Sequence, residues 1–181
     1  MRLFIAIEIA PDIRERILEF AERMKPEISN ARWANPEGLH VTLKFLGNVG
    51  DEKVSAIEKA LAKIESQSFA ITSEDVGVFP NAKSPRVMWT GIAAGPELGK
   101  LAGKIDETMA QLGFEAERRA FSPHVTLARF KEGDRKMNWS SISPGEKPSF
   151  GTMTAKEFHL YESKLSPQGS RYVKRASFSL K

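Results

Sequence analysis

The sequence predicts a two-lobed protein mixing strands and helices, on three observations. Short apolar segments of period two alternate with longer segments of helical period. The tetrapeptide His40-Val41-Thr42-Leu43 returns as His124-Val125-Thr126-Leu127, 84 residues later. Two further features repeat at nearly that spacing. Ile9-Ala10-Pro11-Asp12 returns as Ala94-Gly95-Pro96-Glu97, and Ser84-Pro85-Arg86 as Gly169-Ser170-Arg171, each at an offset of 85. A shared offset makes coincidence a poor explanation. It predicts two similar lobes related by a pseudo-twofold axis, within one domain spanning residues 1–181.

The elements follow in order. Leu3, Ile5, Ile7 and Ile9 alternate with Arg2, Phe4, Ala6 and Glu8, giving a strand with one aliphatic and one mixed face. Pro11 suits a first helical turn, where its missing N–H is not needed, and Ile13, Ile17, Phe20 and Met24 form the apolar stripe behind it. A second helix is predicted from Asp51, as N-cap, to about Ile64, on the stripe Val54, Ile57, Leu61 and Ile64. A third runs from Pro96 to Leu112, with Gly113 at the C′ position. The remaining strands are His40 to Leu46, Phe69 to Phe79 with a break, Val87 to Ala93, His124 to Phe130, Glu157 to Tyr161 and Arg171 to Leu180. Lys131 to Gly151, rich in Gly, Pro, Ser and charge and containing Trp139, reads as loop.

Composition removes several classes. Hydrophobic residues are 41% and charged residues 28%, which excludes a mainly disordered chain. There is no cysteine, so disulfides, thiolate metal sites and Cys nucleophiles are excluded. No apolar run approaches the ~20 residues of a membrane span. The run Leu3 to Ile9 is short, contains Glu8 and reads as a strand, not a signal peptide. A cytoplasmic protein is the simplest expectation. The net charge of +4 mildly favours an anionic partner.

In a strand, residues i and i+2 share a face. His40 and Thr42 therefore point one way, with Val41 and Leu43 toward a core; His124 and Thr126 repeat the arrangement. If the lobes face each other, two imidazoles and two hydroxyls converge on one cleft. In-line displacement at phosphorus needs a base on one side and an acid on the other, and two histidines supply both near neutral pH. The threonine hydroxyls can donate to non-bridging phosphate oxygens. This arrangement requires no metal and no cofactor. His159, in Phe158-His159-Leu160-Tyr161, has no such motif and reads as an ordinary strand residue.

The doubled motif resembles that of the 2H phosphoesterase superfamily, and more narrowly the RNA 2′,3′-cyclic phosphodiesterases, first described as 2′-5′ RNA ligases. The matching stretches are Arg2-Leu3-Phe4-Ile5-Ala6, Leu39 to Gly47 (LHVTLKFLG) and Phe121 to Arg129 (FSPHVTLAR). The resemblance implies a bilobal α+β fold, each lobe an antiparallel sheet with helices on its outer face and the active site between. It implies metal-independent hydrolysis of an RNA-terminal 2′,3′-cyclic phosphate to a 2′-phosphate. Reverse 2′-5′ ligation is open to the same residues by microscopic reversibility. It assigns His40 as proton donor and His124 as proton acceptor, with Thr42 and Thr126 on the phosphate. The implied partners are the 3′ ends of RNA, tRNA-derived or otherwise short, met by a monomer.

Four further residues are candidates for substrate binding. Arg129 resembles the family's arginine after the second motif, yet strict alternation puts it on the Leu127 face, so it needs a bulge or a strand end to reach the cleft. Lys44 shares the face of His40 and Thr42. Phe4 lies opposite the aliphatic stripe of the first strand, and its partner by the offset is Trp89; both could stack on a terminal base. Lys164, Arg171, Lys174, Arg175 and Lys181 have no acidic residue among them and could line an anionic groove. Two rival functions are phosphodiester hydrolysis on small cyclic phosphates, such as ADP-ribose 1″,2″-cyclic phosphate or cyclic nucleotides, and a non-catalytic RNA-end binding module.

Overall fold

The computed structural model describes residues 1–28, 31–131, 147–167 and 169–181. Strands β1 (Arg2–Glu8), β3 (His40–Asn48), β8 (Glu157–Ser166) and β9 (Gly169–Ser179) form one antiparallel sheet in the order β3-β1-β8-β9. Strands β2 (Ala31–Trp33), β4 (Phe69–Phe79), β5 (Val87–Ala94), β6 (His124–Phe130) and β7 (Ser149–Ala155) form the other, in the order β2-β6-β5-β4-β7. Three helices complete the α+β fold: α1 (Pro11–Met24), α2 (Asp51–Leu61) and α3 (Pro96–Gln111).

The two sheets match strand for strand around the motifs. β1 lies between β3 and β8; β5 lies between β6 and β4. The sequence halves do not each make one sheet, however. β4 pairs with β5 in the second sheet, while β8 and β9 return to β1 in the first.

The helix-facing sides bury one continuous core. Leu3, Ile5 and Ile7 of β1, Val41 and Leu43 of β3, and Val125 and Leu127 of β6 meet the helical stripes Ile13/Ile17/Phe20, Val54/Ile57/Leu61 and Leu98/Leu101/Ile105/Met109. Pro11 stands in the first turn of α1. The end of α3 follows its glycine. Gly113, at φ +86°, lets its own N–H reach Ala110 O at 3.0 Å and that of Phe114 reach Met109 O at 3.1 Å, which satisfies two terminal carbonyls.

Several local expectations need correction. The N-cap of α2 is Gly50 and makes no side-chain cap bond; Asp51 already lies in the first turn, where its charge favours the helix dipole. Phe69–Phe79 is unbroken, with a bulge at Asp75 (φ 66°), a residue type that tolerates left-handed backbone. β8 and β9 are longer than predicted. They zip into a hairpin from Glu157↔Ser179 to Ser166↔Gly169, so pairing extends strands whose sequence is too polar to announce them. β2 was not anticipated, and β7 occupies part of the stretch read as loop. β2 spans three residues, and the hydroxyl-rich β7 draws its order from β4. Trp139 lies outside the described residues.

Candidate active site

Both motifs open a strand, and both show the same alternation: His and Thr half-buried, Val and Leu buried. Across the sheet, His40 stands opposite Glu8 and Thr42 opposite Ala6; His124 stands opposite Gly91 and Thr126 opposite Trp89. Cα atoms of β3 and β6 come within 8 Å of one another, so the motif strands adjoin where the sheets meet.

Each motif strand bulges at the same point. Ile5 and Ala6 face Lys44 and Thr42, which skips Leu43; Met88 and Trp89 face Ala128 and Thr126, which skips Leu127. An extra residue reverses the alternation beyond it. The face of His124 and Thr126 therefore continues at exposed Arg129, which gains the cleft by a bulge. The reversal takes Lys44 off the face of His40 and Thr42, which corrects its predicted position. Lys44 is 8% exposed, pairs with Asp106 of α3 and donates to Glu115 O at 2.9 Å. Phe45 takes the cleft-side place instead, 66% exposed.

The two imidazoles have different surroundings. His40 sits in an aromatic box, with ring centroids 4.8 Å from Phe4, 5.3 Å from Tyr172 and 6.1 Å from Tyr161. Burial, and secondarily the Arg129 guanidinium, push its pKa down to about 4. His124 meets Phe79 edge-on at 5.4 Å, and its Nδ1 lies 2.8 Å from Ser122 O. A carbonyl only accepts, so Nδ1 carries the hydrogen, and Nε2 is the nitrogen left to gain or lose a proton.

Phe4 has the predicted face but a covered ring, 2% exposed and stacked on Tyr161 at 5.3 Å, so it serves as a wall for His40. Trp89 is half-buried. Its ring crosses Gly77 so closely that a Cβ there would lie 2.1 Å from it, and its buried Nε1 has no hydrogen-bond partner among the described residues.

Beside His40 a cavity of about 160 Å³ opens, lined by Glu8, Arg14, Glu37, Tyr161, Tyr172 and Lys174 among others. Glu8 accepts from Lys174 at 2.7 Å and from Arg14 at 3.1 Å. Burial alone would raise its carboxyl, but Lys174 and Arg14 hold it below the usual range. His159 is buried behind Tyr161 with Nδ1 2.9 Å from Ser177 Oγ; burial first, then Lys174, lower its pKa. Four cations of the basic C-terminal stretch are ion-paired, Lys174 with Glu8, Lys164 and Arg175 with Glu162, and Lys181 with Glu65, while Arg171 has no ion pair among the described residues. Sequence reasoning missed Tyr161, Tyr172 and Phe79, because only strand pairing places them on the motif face, and it put Glu8 on the face of Phe4 without giving it a role. Among the described residues, no three His, Cys, Asp or Glu side chains gather as metal ligands would.

Paired imidazoles and hydroxyls with an arginine form the polar group set of a phosphoester-handling protein. The chain belongs to the LigT-like phosphoesterase family, whose model it matches over residues 7–89 and 92–172. It is 37% identical over 172 residues to the RNA 2′,3′-cyclic phosphodiesterase of Archaeoglobus fulgidus, covering 95% of this chain and 96% of that protein. It is 33% identical to the one from Escherichia coli, covering 95% and 92%. The structure of E. coli LigT complexed with 3′-AMP superposes with a TM-score of 0.83 at 29% identity, covering 99% of this chain and 97% of that one. TT0787 of Thermus thermophilus gives 0.82 at 27%, covering 99% and 98%.

Proposed function

We propose that this protein hydrolyses the 2′,3′-cyclic phosphate at an RNA 3′ end to a 2′-phosphate, with the two motif histidines as acid and base and no metal. The observation that carries the reading is the pair of matched His-x-Thr faces; the hydrogen bond from His124 Nδ1 to the Ser122 carbonyl supports Nε2 as the reacting nitrogen. His124 Nε2 takes a proton from water as its oxygen attacks phosphorus. The bond from phosphorus to O3′ breaks, and His40 gives O3′ its proton. Thr42, Thr126 and Arg129 stabilise charge on the non-bridging oxygens. An anion seated beside His40 offsets the Arg129 field and raises the imidazole's proton affinity, so substrate itself arms the acid.

The names of the Archaeoglobus and E. coli relatives support the RNA substrate. The reading keeps short RNA ends as substrate, a monomer as the working unit, the cytoplasm as its place, and 2′-5′ ligation as the reverse of the same chemistry. It also treats residues 1–181 as one duplicated bilobal domain, which the two family-model segments and the matching bulges support.

A second reading, hydrolysis of small cyclic phosphates, draws support from E. coli LigT, whose structures include complexes with 3′-AMP, ATP and NADP+. One assay separates the two: an oligonucleotide ending in 2′,3′-cyclic phosphate against a mononucleotide, both in excess EDTA. Faster turnover of the oligonucleotide, undiminished by chelator, is the expected outcome. Turnover of the mononucleotide alone favours the second reading. Loss in EDTA restored by zinc or manganese overturns the metal-free mechanism.

A further inference from the structure

We infer that Arg32 binds the backbone phosphate one nucleotide upstream of the reacting end, and so makes the enzyme prefer RNA to a mononucleotide. The inference rests on the cyclic-phosphate reading above. Arg32 lies on β2, directly opposite Arg129 of β6. Directly opposed residues of an antiparallel pair share a face, with Cβ atoms about 5 Å apart. Both arginines are exposed on the side that carries His124 and Thr126.

Like charges directly opposed weaken a sheet. Here neither side chain has an ion pair or hydrogen bond among the described residues to relieve that repulsion. Of the neighbouring cations, Lys174 pairs with Glu8, and Lys164 and Arg175 share Glu162. An unneutralised arginine pair at the edge of a cleft is an anion site waiting for its anion.

The two guanidiniums have different neighbours. Arg129 acts toward the reacting centre, where its charge is felt by His40. Arg32 reaches the other way, across to the β8–β9 turn of the facing sheet. Its Nη2 passes so close to Gly169 that a Cβ there would lie 2.9 Å away, and Gly169 has φ +126°, which only glycine adopts freely. Arg32 thus spans the far end of the cleft, beyond Arg129. A single strand with its terminal phosphate at the histidines carries its next negative charge one nucleotide further on. Arg32 is a cation without an ion pair among the described residues at that end. A mononucleotide has no charge to offer it.

The test compares wild type, Arg32→Ala and Arg32→Lys on three substrates: cytidine 2′,3′-cyclic phosphate, the dinucleotide CpC ending in 2′,3′-cyclic phosphate, and that dinucleotide with an uncharged methylphosphonate linkage. Arg32→Ala should lower kcat/KM on the dinucleotide by ~10- to 100-fold, mainly through KM, as for a charge-assisted hydrogen bond lost to solvent. The loss on the mononucleotide should be at least tenfold smaller. The methylphosphonate should bring wild type down to the variant, and Arg32→Lys should recover part of the loss. Equal losses on mononucleotide and dinucleotide, or none on the dinucleotide, overturn the inference. If wild type turns over no substrate, the cyclic-phosphate reading fails. The arginine is then judged by equilibrium binding of CpC ending in a 2′-phosphate, which Arg32→Ala must weaken and otherwise contradicts the inference.

Discussion

The two motif strands begin from the same four residues and end in different chemistry. Around His40 the neighbouring strands place Phe4 and Tyr161, directly opposite each other, and Tyr172 closes the box. Around His124 the corresponding positions are Trp89 and Gly77, and the glycine lets the indole lie flat where the first sheet has a phenol. Past the matching bulges, one strand presents Phe45 and the other Arg129. Its partners lower the pKa of one imidazole and hold the hydrogen of the other on Nδ1. A repeated motif therefore supplies two copies of a group, and the unrepeated neighbours divide the labour between them.

The largest effects test that division. A general acid matters in proportion to how badly the leaving group needs a proton. A ribose alkoxide is strongly basic, so His40→Ala should cost roughly 10³-fold on a 2′,3′-cyclic RNA end. On an aryl phosphodiester with a nitrophenolate leaving group the loss should be far smaller. His124 activates water, which is equally poor against either substrate, so His124→Ala should damage both reactions alike. The measurement is kcat/KM for both variants on both esters, given measurable wild-type turnover of the aryl ester. The mirror-image pattern would exchange the two roles. Equal sensitivity everywhere would mean that the imidazoles work by charge or position.

Next in size are the hydroxyls. Thr42→Val and Thr126→Val keep the branched shape that a strand favours and remove one donor each. Each should lower kcat by ~10²-fold, in the range for oxyanion donors, with little change in melting temperature. Wild-type rates in both variants would mean that the hydroxyls face only solvent.

The repeat, the three helices and the faces of His40, Thr42, His124 and Thr126 were legible in the sequence, because each depends on local periodicity. What was not legible depended on pairing. A bulge leaves no sequence signature, so strict alternation puts Lys44 on the site face, when it anchors α3 through Asp106, and puts Arg129 on the opposite one. Tyr161 and Tyr172 lie over 120 residues from His40 in sequence and meet it only through the order β3-β1-β8-β9. β2 is three residues of no marked character, and its Arg32 acquires meaning only beside β6.

The smallest expected effect concerns the field between the sheets. Burial and Arg129 both disfavour the charged His40 ring, so in the empty protein it should titrate near pH 4, well below an ordinary imidazole. The unfolded chain then binds a proton through the window from about pH 6.5 to 4 that the folded chain refuses. The resulting stability is fully present above that window and is lost as pH falls through it. Arg129→Gln removes the electrostatic part of the push but not the burial, so the His40 midpoint should rise toward, without reaching, the ordinary value. The same substitution takes a cation from the phosphate, so kcat/KM should fall while the acid becomes easier to protonate. These opposite signs distinguish a phosphate-holding arginine from one that merely tunes His40. The readouts are the His40 ring signals followed by NMR across pH, and turnover of a cyclic-phosphate end. A wild-type His40 midpoint near 6.5 would remove the aromatic-box account. An unmoved midpoint in Arg129→Gln would show that the Arg129 field does not cross from β6 to β3. A midpoint that rises together with kcat/KM would assign Arg129 to the control of His40 alone.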